Sequence, residues 1–114
     1  MNTTEKQLRD NCLAIAAELS GEVEFDREDY DLDEGDEPCI YDWLGQQLSY
    51  EFSVGSEGSY LGGEVLVSFG GPNIWVDTRF NQVKGSWGGD SFQCSFEDVH
   101  GLDDILSEAF DNLR

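Results

Sequence analysis

Eight carboxylates crowd into fourteen residues, "FDREDYDLDEGDEP" (25–38), with Arg27 the only base among them. Carboxylates at this spacing suit cation ligation, acid–base catalysis, or display of negative charge to a basic partner. An EF-hand loop needs oxygen ligands at positions 1, 3 and 5, glycine at 6 and a bidentate glutamate at 12. Taking Asp29 as the first position puts Asp31 and Asp33 in place, but Glu34 falls where glycine belongs and Ile40 where glutamate belongs. Starting from Asp31 brings Gly35 one position too early. Neither frame makes a calcium site, and we expect no bound metal.

Catalytic constellations are equally sparse. The single histidine, His100, would have to serve any Ser–His–Asp or Cys–His arrangement. Cys94 lies nearby in sequence, but in an alternating pattern where a thiol reads as a small buried hydrophobe. Three scattered cysteines, Cys12, Cys39 and Cys94, and one histidine show no zinc-ligand spacing. The glycines of "FGGPNIW" and "WGGDS" lack the Lys and Ser/Thr that follow a phosphate loop, so they read as turns. With 25 acids, close carboxylate pairs arise by chance. We expect no enzyme and no cofactor.

The elements that must hold these residues follow from periodicity. At 114 residues, with 39% hydrophobic and 12% aromatic content, the chain can build one modest core and is too apolar for wholesale disorder. Leu8, Cys12, Ile15, Ala16 and Leu19 share one face of a helix over 3–19, with Thr3 or Thr4 as cap and Ser20–Gly21 as its stop. Val23 and Phe25 alternate with acids, which suggests a short edge strand. Ile40, Trp43, Leu44 and Leu48 suggest a second helix starting at Pro38. Then "LSYEFSV", "YLGGEVLVSF", "NIWVDTR", "QVKGSW" and "SFQCSF" read as short strands joined by tight turns, an antiparallel meander. Leu102, Ile105, Leu106, Ala109, Phe110 and Leu113 form the stripe of a last helix, with acids in its first turn. The expectation is one α+β domain over 1–114. Its antiparallel meander of about four to five strands carries the N- and C-terminal helices on one face, and an acidic segment spans 22–37.

Charge narrows the partners. A formal net charge of −19 disfavours nucleic acid and anionic membrane as ligands and favours basic proteins. No run of eighteen apolar residues and no signal-peptide pattern occurs, and an odd cysteine count without CxxC fits a reducing cytoplasm. Ten carboxylates lie between Glu22 and Glu37. Helical, they would fall about 2.4 Å apart; extended, about 5 Å apart. B-form DNA carries one charge per about 1.7 Å of axis, so coiled or folded-back forms approach duplex density and the extended form does not.

The stretch "FGGPNIWVDTRFNQVKGSWGGDS", followed by "GLDDILSEAF", resembles a group of small acidic proteins carried by phages, plasmids and other bacterial mobile elements. In size, acidity and lack of catalytic groups the chain also resembles phage-encoded anti-CRISPR and anti-restriction proteins, several of which imitate DNA. Neither resemblance supplies active-site residues. Together they imply a non-enzymatic inhibitor of a basic, nucleic-acid-binding host defence protein or complex, with a homodimer as a further option. The expected partner-binding residues are Glu22, Glu24, Asp26, Glu28, Asp29, Asp31, Asp33, Glu34, Asp36 and Glu37, with Tyr30 as anchor. The alternative is an interaction module working through a hairpin that carries Trp75, Asp77, Arg79 and Trp87, where outward tryptophans could pair across strands.

Overall fold

The computed structural model describes residues 3–113 and shows an α+β fold. The order is α1 (Thr3–Leu19), α2 (Ile40–Gly45), β1 (Ser49–Val54), β2 (Tyr60–Ser68), β3 (Asn73–Asp77), β4 (Gln82–Trp87), β5 (Asp90–Ser95) and α3 (Leu102–Asn112). The five strands pair antiparallel in sequence order, as expected of strands too closely spaced for helical crossovers.

Register gives the sheet two unlike faces. Val65, Val76, Val83 and Cys94 pair in succession and lay one apolar row across four strands. Ile74, Gly85 and Phe92 form the next row on the same side. Helix α1 lies over β4 and β5 and α3 over β2, both on this face. Each helix docks where a strand residue lacks a side chain: a Cβ on Gly85 would stand 2.7 Å from Leu8 Cδ1, and one on Gly63 2.8 Å from Leu106 Cδ1. Leu8, Leu102, Leu106, Val65, Val76 and Val83 are fully buried in the resulting core. Glu64, Leu66, Trp75, Asp77 and Lys84 occupy the opposite face, away from α1 and α3.

Polar groups fix the last helix. Asp98 takes the N–H of Leu102 on Oδ1 (2.7 Å) and of Asp103 on Oδ2 (2.8 Å), satisfying two donors at the start of α3. Asp103 Oδ1 accepts from Tyr60 (2.7 Å) and Thr78 (2.8 Å), tying that turn to the sheet.

Four sequence expectations need correction. Thr3 and Thr4 lie inside the first turn of α1 and not at its cap. No strand forms over Val23–Phe25, because Phe25 is drawn into the core instead of running along a sheet edge. Pro38 stands outside α2: Cys39 is extended and its N–H is taken by Asp42 Oδ2 at 2.9 Å, so the helix starts at Ile40. It ends by Gly45, which leaves Leu48 exposed and its N–H donating to Leu66 O.

The strand glycines differ in what they tolerate. A Cβ on Gly62 would meet the Arg79 backbone at 2.7 Å, whereas one on Gly85 meets the ends of the Leu8 and Cys12 side chains. Gly62→Ala should therefore cost about 3 kcal/mol and Gly85→Ala about 1 kcal/mol, the two ends of the usual overpacking range. Urea denaturation of both variants checks this, and equal midpoints would contradict it.

An acidic loop as candidate interface

The acidic segment begins at a defined break. Gly21, at φ +77°, ends α1, with Glu22 N bonding Ala17 O at 2.9 Å and Gly21 N bonding Glu18 O at 3.2 Å. Phe25 then turns inward, 8% exposed, against the His100 ring (centroids 5.0 Å apart) and edge-on to Tyr30 (6.5 Å). A single 3-10 turn follows at Arg27–Asp29, where Asp26 Oδ1 accepts from Glu28 N at 3.0 Å. Gln46 Nε2 donates to Asp29 O at 2.5 Å, and the Arg27 guanidinium donates to Asp33 O at 2.7 Å. A tight turn at Gly35 (φ +91°), closed by Asp36 N to Asp33 O, brings the chain back to Pro38 and the buried Ile40.

The segment thus has an inside and an outside. Phe25 is buried, and Arg27, Tyr30, Leu32 and Pro38 are half-buried. All ten carboxylates, Glu22, Glu24, Asp26, Glu28, Asp29, Asp31, Asp33, Glu34, Asp36 and Glu37, are exposed. Among the described residues none of them is ion-paired; ion pairs elsewhere join Lys6 and Arg9 to Asp10, and Lys84 to Glu64 and Asp77. Even Arg27 spends its bond on a carbonyl. Glu24 and Glu37 line one cleft of about 400 Å³ together with Phe25, Pro38 and His100, so the two ends of the segment converge. The loop is folded back, the compact one of the two forms distinguished by charge spacing.

Neighbouring groups register this field. Burial first, then Asp29 and Asp26, push the Glu18 carboxyl above its ordinary value of 4.5. The Tyr30 hydroxyl is pushed up to about 12 by burial, with Glu18, Asp29 and Asp42 adding to it. On α3, Asp104, Glu108 and Asp111 are exposed, while Asp103 is occupied by Tyr60 and Thr78 and does not extend the surface.

The histidine and cysteines fall elsewhere than a catalytic pair requires. His100 Nε2 donates to Glu18 O at 3.0 Å, and Cys94 Sγ faces Cys12 O at 3.7 Å, so the two do not bond each other. Burial raises the Cys12 thiol to about 11 and also raises Cys94, which keeps both protonated.

The alternative hairpin is split by the pleat. Trp75 pairs with Lys84 on the open face, whereas Trp87 pairs with Asp90 and packs against the core, so the two tryptophans point to opposite sides. Asp77 is nearly buried, 3.2 Å from Lys84 Nζ, and its Oδ1 accepts from Arg79 N. Arg79 is exposed at the tip, its guanidinium 5.2 Å above the Phe80 ring. The inward anchor Phe25 and the His100 ring beside it were not foreseen from the sequence. The available signal was single apolar residues set among acids, which resembles strand alternation.

Compared with known proteins, the chain matches no family model, and no curated protein or solved structure is significantly similar to it. Among the described residues no helix is long and apolar enough to cross a membrane.

Glu18 offers a test of its burial beside these acids. A carboxyl whose folded pKa exceeds its unfolded value holds its proton more tightly when folded, so stability falls as pH rises through that pKa. Glu18→Gln should raise the denaturation midpoint at neutral pH, with the gain vanishing as pH drops below the ordinary value of 4.5. An unchanged or lower neutral midpoint would contradict the raised Glu18 carboxyl.

Proposed function

We propose that the chain is a non-enzymatic inhibitor that binds a basic nucleic-acid-binding host protein or complex in the cytoplasm. Its loop 22–37 takes the place of nucleic-acid phosphates. One observation carries the reading: ten exposed carboxylates, none paired with a base among the described residues, sit on a loop whose ends converge. Charge left unpaired inside the molecule is available to a partner's Lys and Arg groups, and release of counterions from both surfaces would drive the encounter. Likeness in size and acidity to phage-encoded inhibitors supplies the choice of a defence complex as partner.

A second reading uses the open sheet face. Trp75, Leu66 and Phe69 line a cleft of about 430 Å³ there, and Phe69 is 75% exposed. An aromatic anchor of this kind suits a protein interface. Trp87 takes no part in it.

The two readings part on mutation. Replacing Glu28 and Glu34 by Gln and Asp31 and Asp33 by Asn should lower capture of basic proteins from host lysate about fourfold or more at low salt, taking roughly 0.2–1 kcal/mol for each exposed pair. The same variant should flatten the salt dependence. Undiminished capture at every salt concentration would contradict the loop, and loss of capture in a folded Trp75→Ala, Arg79→Ala variant would assign the interface to the sheet.

A further inference from the structure

The cleft at the neck of the acidic loop has a composition of its own. Glu24 approaches it from one end of the segment and Glu37 from the other, while Phe25, Pro38 and His100 supply the remaining lining. The two rings lie against each other, centroids 5.0 Å apart and tilted by 39°. The His100 Nε2–H is committed to the Glu18 carbonyl, so that nitrogen has no hydrogen to offer an incoming group. A metal ion does not suit the site: among the described residues no three His, Cys, Asp or Glu converge as metal ligands, although Glu24, Glu37 and His100 border one space. About 400 Å³ bordered by two glutamates, two rings and a proline suits a larger cation with a flat or apolar body. A guanidinium combines planar donors for carboxylates with a face that stacks on aromatic rings, and a lysine ammonium has the charge with an apolar stem.

Resting on the reading of loop 22–37 as the working surface, we propose that this cleft is a cation pocket that receives one Arg or Lys side chain of the basic partner. The rest of the loop attracts the partner at long range, and the pocket fixes where it lands. Long-range charge changes little when any two carboxylates are moved or removed, whereas a pocket depends on particular ones.

That difference makes the test. A short oligo-arginine peptide is titrated into the full chain, and into a Glu24→Gln, Glu37→Gln variant and a charge-matched Glu28→Gln, Glu34→Gln control. Loss of the neck pair should weaken binding about five- to tenfold, from two carboxylate contacts. The control should lose only about twofold, the share of two exposed loop carboxylates that line no cleft. His100 and Phe25 ring resonances should shift on titration of the parent. Equal weakening by both pairs, or peptide binding with His100 and Phe25 unmoved, overturns the pocket while leaving the loop reading intact. No binding to the parent at all overturns both. Titration with spermine, a free polyamine, separates the sources: a neck-pair dependence as large for spermine as for the peptide would overturn the assignment to a protein side chain.

Discussion

Like-charge repulsion within loop 22–37 is the constraint that the rest of the molecule answers. Two unit charges about 10 Å apart in water repel by roughly 0.4 kcal/mol, and physiological salt reduces this by a factor of about three. Summed over some ten near-neighbour pairs, the cost is about 1–4 kcal/mol. Burying a side chain such as Phe or Ile contributes roughly 1.5–3 kcal/mol each, and Phe25, Ile40 and Trp43 are all buried in the core. Burial of the same order therefore offsets the repulsion, and the loop is held by Phe25 within it and Ile40 just beyond it while its acids stay exposed.

Those anchors depend on a short chain of contacts reaching back to the sheet. Gly63 lets Leu106 approach, which seats α3 over β2. Asp98 closes the first turn of α3, and His100 stands in the loop between the two, bonded to the end of α1 through Glu18 O. His100 in turn meets Phe25. The sheet sets where α1 ends and α3 begins; the loop leaves the end of α1, packs through Phe25 against His100 just before α3, and runs on to α2. A cleft bordered by both ends of the loop follows from this arrangement.

Much of the fold was legible because it rests on periodicity. The stripe from Leu102 to Phe110 and the alternation of Ile74 and Val76 with Trp75 and Asp77 report which side is buried, and the strands were bounded by glycine-rich turns. The loop was legible only as charge. Whether Phe25 and Tyr30 belonged to a strand or to isolated anchors depends on contacts with His100 and Gln46, which are remote in sequence and have no local signature. The tryptophans show the same limit: their residue types suggested a shared patch, but the twelve-residue offset puts them on opposite faces once the hairpin register is known.

The central claim is that the loop folds back so that its two ends meet, concentrating its charge. Cys39, exposed just beyond Glu37, can carry a paramagnetic label in a Cys94→Ser background, since Cys94 is half-buried whereas Cys12 is buried and its thiol raised to about 11. In the labelled protein the amides of Glu24 and Phe25 should be broadened along with His100, although they lie at the far end of the segment. Full intensity at Glu24 and Phe25, with broadening confined to the sequence neighbours of Cys39, would contradict the folded-back loop and the functional account built on it.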